Sequence, residues 1–181
     1  MLRPVYLFFF KLLGWKTRGD FPRELKKFII AVGPHTSNWD FLVGVAARSI
    51  FRIQKAKFIG KSQLFKAPYG WLFRMLGGYP VERSKSTDFT DQVAAIFKSK
   101  EEFMLAVAPE GTRKKVEKLK TGFYYIALKA NVPIVPVGFD FGRKEVTVGA
   151  PLFPTEFSKD METLLHFYKD IKGRNPALGI S

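Results

Sequence analysis

Short apolar runs that alternate with longer amphipathic stretches predict an α/β fold: a single domain with a mostly parallel or mixed central sheet flanked by helices. The strand runs are residues 28–32, 57–59, 79–81, 104–108, 134–137 and 145–148, and the helical stretches between and after them are 38–54, 62–76, 87–100, 121–130 and 158–171. A chain of 181 residues, 46% hydrophobic and with 19 Phe, is long enough to bury a core in one domain over residues 1–181 without metal or disulfide staples. No repeat, linker or low-complexity tract interrupts it.

The first element, VYLFFFKLLGW over residues 5–15, is apolar but carries Lys11 and falls short of the ~20 residues that span a bilayer. No small-residue cleavage site follows, so a signal peptide is not expected. Residues 1–18 read either as an interfacial segment, with Phe and Trp among headgroups, or as a first helix packed on the core. The next strand, FIIAV, runs into Gly33-Pro34, and Ser37 or Asn38 is a natural N-cap for the helix that follows. Leu42, Val45, Ala46, Ser49, Ile50 and Ile53 recur along that helix at i, i+3, i+4, i+7, i+8 and i+11, which predicts its core face. Arg48, Arg52 and Lys55 lie on an adjoining face beside Phe41, where they are expected to meet a membrane or an acidic carrier.

Charge narrows the function classes. Thirty basic residues against sixteen acidic give +14, a field suited to anionic partners. Between Phe41 and Val81 there is no acidic residue, yet Arg48, Arg52, Lys55, Lys57, Lys61, Lys66 and Arg74 all fall there. The absence of cysteine excludes disulfides, thiol nucleophiles and thiolate metal sites, and fits a reducing cytoplasm. Two histidines, His35 and His166, are too few for a histidine-built zinc site, so no metal is expected. The chain has no RNP-like strand, zinc-finger spacing or basic recognition helix, so its charge is not read as a nucleic-acid interface.

One loop carries candidate chemistry. In GPHTSNWDF, residues 33–41, His35 sits between strand and helix and Asp40 in the first helical turn, at the carboxyl end of a strand where α/β sheets place their ligands. An aspartate accepting from one ring nitrogen fixes the tautomer and leaves the other nitrogen free to take a proton. Spacing alone leaves this pair open between a base with its orienting acid and an acid placed at a helix start for the dipole.

Three further stretches follow in order: Gly77-Gly78-Tyr79-Pro80-Val81-Glu82-Arg83, then Ala108-Pro109-Glu110-Gly111-Thr112-Arg113, then the proline-bracketed Val132-Pro133-Ile134-Val135-Pro136-Val137. With His35 and Asp40, the four in this order over residues 28 to 150 resemble the glycerolipid acyltransferases, in particular the 1-acyl-glycerol-3-phosphate acyltransferase family. The resemblance implies that His35 and Asp40 are catalytic. It also implies that Lys61, Arg83 and Arg113 hold a substrate phosphate, with Glu110, Gly111 and Thr112 completing the substrate-binding set. Glu110 is expected to position an arginine or the loop rather than face the phosphate, and Gly111 to allow close backbone approach. The competing reading of the arginines is a pair of surface ion pairs, Arg83 with Glu82 and Arg113 with Glu110.

The implied reaction moves a fatty acyl group from acyl-CoA or acyl-carrier protein to the hydroxyl of a lysophosphatidate-like lipid in phospholipid biosynthesis, with no bound cofactor. The same resemblance admits another lipid acceptor, an aminoacyl lipid or glycerol 3-phosphate. Pro34, Pro80 and Lys114 depart from the commonest residues of the family. The expected place of work is the cytoplasmic, inner face of the cell membrane, held peripherally by an anionic lipid surface.

Overall fold

The structure, a computed structural model, describes residues 3–81 and 86–179, with the side chains of residues 60–62, 64, 81 and 86–88 outside that description. Seven strands form one mixed sheet: β1 (Lys16–Arg18), β2 (Lys27–Gly33), β3 (Lys57–Lys61), β4 (Gly78–Val81), β5 (Phe103–Val107), β6 (Ile134–Asp140) and β7 (Glu145–Val148), in the order β1-β7-β6-β2-β5-β3-β4. From β6 to β4 every pairing is parallel; β7 returns antiparallel to β6, and β1 pairs parallel with β7. The helices are α1 (Arg3–Leu12), α2 (Trp39–Ile50), α3 (Gly70–Met75), α4 (Ser86–Ser99), α5 (Gly122–Ala130) and α6 (Phe157–Tyr168). This is the predicted mixed sheet flanked by helices.

Two apolar clusters sit on opposite faces of the sheet. Phe28, Ile30, Val135, Val137 and Phe139 turn toward α1 and α2, while Ile29, Ala31, Leu105 and Ile134 turn toward α4, α5 and α6. Successive strand residues point to opposite faces, so β2 feeds both clusters. Its FIIAV run is apolar throughout for that reason.

Three expectations are corrected. The core face of α2 is Val43, Ala46, Ala47 and Ile50, with Leu42 left exposed, not the face that begins at Leu42. Asp40 is the cause: its buried carboxylate is drawn into the loop before the helix, and residues three, seven and ten positions on follow it to the same side. Residues 62–76 are not one helix but a 3₁₀ turn (Ser62–Phe65) and the short α3, because Pro68 disfavours helix at the residue before it and has no N–H to continue the ladder. Arg48 is not offered to a partner. It donates to the carbonyls of Leu76, at 2.7 Å, and of Gln54, so it ties α2 to the loop before β4.

The N-terminal element packs on the core by one face and leaves the other exposed. Phe10 is buried, Tyr6 and Leu7 pack on the core, and the Arg3 Nε donates to the Ile50 carbonyl at 3.1 Å, so α1 is a packed helix. Its other face leaves Phe8 62% and Phe9 51% exposed, with Leu12 and Leu13 beside them. Among the described residues no helix is long and apolar enough to cross a membrane.

Candidate active site

β2 and β5 are adjacent and parallel, with Ala31 opposite Val107, so the loops that leave their carboxyl ends emerge side by side. One loop carries His35 and the other Glu110 to Arg113. The sheet thereby brings together residues that are 75 to 78 positions apart in sequence.

The imidazole and the carboxylate meet. His35 Nδ1 lies 2.9 Å from Asp40 Oδ2, with the His35 side chain 25% exposed and that of Asp40 3%. The same oxygen accepts the backbone N–H of Thr36 at 2.8 Å and of Ser37 at 2.9 Å. Three donors on one buried oxygen hold the loop closed around the carboxylate. With Nδ1–H directed at Asp40, Nε2 keeps its lone pair, and that lone pair accepts the Arg113 Nε–H at 3.3 Å. Asp40 thus both orients the imidazole and ties down the loop at the helix start.

Glu110 turns inward. It is fully buried, and its Oε2 accepts the His35 backbone N–H at 2.5 Å, so it positions the loop that carries His35 and does not pair with Arg113. Burial pushes its carboxyl above the ordinary range, against the pull of the His35 amide and imidazole. Its Oε1 is buried with no hydrogen-bond partner. Of the residues expected in the substrate-binding set, Glu110 is the one whose carboxylate is drawn inward onto a backbone donor. Gly111 has φ +67, a left-handed turn that glycine adopts without strain, and it lets the chain reverse after β5. Thr112 lies beside it, its hydroxyl accepting the Lys114 N–H at 3.3 Å.

Of the expected phosphate holders, Arg113 is exposed and touches the imidazole. Lys61 closes β3, its backbone opposite Val81, with its side chain outside the described residues. Arg83 lies wholly outside them. The ends of β2, β5 and β3 nonetheless lie in a row, and β4 ends next to β3.

A cavity of about 1090 Å³ opens at His35 and Asp40. Its walls include Phe41, Gly44, Ala47 and Phe51 along α2, Val32 and Phe139 from the sheet, and Gly111 to Lys114 at the rim. Sequence reasoning did not foresee this cavity. The small residues Gly44 and Ala47 were its only signal, and they lie on faces of α2 assigned by the wrong helical register. Also unforeseen is the C-terminal tail, where Asn175 donates from its backbone N and from Nδ2 to the hydroxyl and carbonyl of Thr36, at 3.2 and 3.0 Å.

A histidine oriented by a buried carboxylate thus stands beside an arginine at the edge of an apolar cavity. A sequence model of the family described as Acyltransferase matches residues 16–140, and the chain belongs to that family. It is 28% identical over 137 residues to the 1-acyl-sn-glycerol-3-phosphate acyltransferase of Haemophilus influenzae, covering 71% of this chain and 55% of that protein. To the protein of the same name from Escherichia coli it is 28% identical over 134 residues, covering 70% and 53%. The chain spans about half the length of these curated relatives. The crystal structure of the 1-acyl-sn-glycerophosphate acyltransferase PlsC from Thermotoga maritima aligns with a TM-score of 0.62 at 21% identity, over 96% of this chain and 79% of that one, a likeness of fold.

Proposed function

We propose that this chain is an O-acyltransferase that moves a fatty acyl group from a thioester, acyl-CoA or acyl-carrier protein, to the hydroxyl of a lysophosphatidate-like acceptor. The observation that carries this reading is the 2.9 Å contact of His35 with Asp40 at the mouth of the apolar cavity. A fatty chain fits such walls, since each buried methylene contributes about 0.8 kcal/mol. The name shared by the relatives supports the acceptor.

The acceptor hydroxyl gives its proton to His35 Nε2 while its oxygen attacks the thioester carbonyl carbon. Asp40 stabilises the imidazolium, a general-base contribution of ~10²–10⁴ in rate. The tetrahedral intermediate then collapses, the carbon–sulfur bond breaks, and the sulfur leaves as a thiol with the proton held by His35. Before this, Arg113 must release Nε2, and an acceptor phosphate is the group to draw it off, through a bidentate charge-assisted contact. Lys61 and Arg83 are assigned to the same phosphate. The exposed face of α1 and the +14 charge would hold the chain peripherally on an anionic leaflet, the inner face of the cell membrane, where the acceptor resides.

The test is thiol release from acyl-CoA and from acyl-carrier protein against a panel of acceptors. Release that depends on lysophosphatidate supports the reading. Faster transfer to a phosphate-free lipid than to lysophosphatidate contradicts it.

A further inference from the structure

The tail after α6 crosses back over the catalytic loop. Besides the two Asn175 bonds to Thr36, the Val116 N–H donates to the Gly179 carbonyl at 2.9 Å, and the Phe141 N–H to that of Lys172 at 2.8 Å. At Gly173 a Cβ would meet the Thr36 side chain at 2.7 Å, so the backbone runs hard against the residue that follows His35. Residues 172–179 are therefore tied down along their length, to the catalytic loop and to the segment that follows Arg113. Arg174 lies between those anchors.

Beside His35 is a second cleft of about 460 Å³, lined by Thr36, Ser37, Asn38 and Trp39 of the catalytic loop and the helix start, by Arg113, and by Arg174 and Asn175 of the tail. Two arginines and no acidic residue are among its lining residues. Arg174 is exposed and, among the described residues, makes no hydrogen bond or ion pair. Two cations around one cleft repel each other unless an anion lies between them. Arg113 is common to this cleft and to the apolar cavity, and it touches the base. Arg174 lies beyond the 16–140 span that marks the family.

We propose that Arg174, paired with Arg113 across this cleft, binds a phosphoryl group of the substrate held at His35. The tail thus supplies a binding residue to a site otherwise built from the strand-end loops. The proposal rests on the acyl-transfer reading for the substrate's identity, but not for the anion site itself. Two sources carry a suitable phosphoryl group, the lysophosphatidate acceptor and the coenzyme A of the donor.

The experiment combines arginine labelling with kinetics on the full chain. Phenylglyoxal modification of Arg174 is followed by peptide mass, alone and with glycerol 3-phosphate or adenosine 3′,5′-bisphosphate, the phosphate-bearing part of coenzyme A. Slower labelling of Arg174 by either supports the site, and the effective probe names the source. In kinetics, Arg174→Ala raises the KM of that substrate about tenfold with kcat within about twofold, as expected for loss of one partly exposed charge-assisted contact. Arg174→Lys recovers part of the loss, and Lys169→Ala, the same loss of charge from an exposed residue off the cleft, changes nothing. The proposal is overturned if neither probe slows labelling of Arg174, or if Lys169→Ala reproduces the rise in KM. Labelling needs no turnover. A wild-type chain that moves no acyl group to lysophosphatidate would sink the functional reading, and protection of Arg174 from labelling would then decide for or against the anion site by itself.

Discussion

Asp40→Asn separates the two jobs of that carboxylate. Asp40 Oδ2 accepts from His35 Nδ1 at 2.9 Å, from Thr36 N at 2.8 Å and from Ser37 N at 2.9 Å. An asparagine must place its oxygen there, because an amide NH₂ would confront three donors. The loop and the tautomer of His35 then survive, and only the negative charge is lost. The bond to His35 is the one that strengthens as the imidazole takes a proton. A hydrogen bond to a charged group contributes about 1.5–3 kcal/mol, and about 1.4 kcal/mol is a factor of ten in rate. We therefore expect kcat to fall about 10- to 150-fold with both KM values within about twofold and an unchanged melting temperature. Asp40→Ala, which orphans all three donors in a site 4% exposed, should lower the melting temperature as well. The assay is thiol release at saturating donor and acceptor. A kcat for Asp40→Asn within twofold of wild type, or a loss that appears in KM alone, would refute the assignment.

Other substitutions probe the remaining parts. Glu110 has a carboxyl raised above its ordinary value of 4.5 by burial, so the folded chain keeps that proton longer than the unfolded one. Its stabilisation is therefore present below the unfolded value and is lost as pH rises through the folded one, and Glu110→Gln should gain melting temperature relative to wild type as pH rises above the ordinary value of 4.5; a difference that is flat with pH contradicts this. Ala47→Phe fills part of the cavity wall and should shift the acyl-CoA preference to shorter chains, about fourfold in kcat/KM for each methylene excluded; an unaltered chain-length profile would remove the chain from this cavity. Phe8→Ser with Phe9→Ser should weaken sedimentation with anionic vesicles about tenfold or more without loss of fold, since both rings face outward. Deleting residues 1–16 is a poorer probe, because it removes buried Phe10 and the first residue of β1.

The sequence made the parallel core legible because β2, β5 and β6 at its centre are dense apolar runs between turn residues. It made the site legible because His35 and Asp40 share one loop whose strand and helix are both strongly marked. β1 was not legible: Lys16-Thr17-Arg18 is exposed and polar, and only its pairing with β7 makes it a strand. Periodicity alone set α2 one position out of register, since it weighs a buried aspartate as a surface residue. The partner of Glu110 was hidden because its target is a backbone N–H 75 residues away, and backbone donors leave no mark in sequence. The tail carries no periodic signal, so Asn175 and Arg174 acquire meaning only when the chain is seen to cross Thr36.

The most direct test of the central claim is formation of the diacylated lipid by wild type and His35→Ala, followed by mass spectrometry in a single turnover with acyl thioester and lysophosphatidate. Thr36 N and Ser37 N still hold Asp40 when the imidazole is gone, so the variant should keep its melting temperature. The prediction is product from wild type and none above background from the variant. Product formed at a comparable rate by folded His35→Ala would show that the proton is taken elsewhere and contradict the role given to this imidazole.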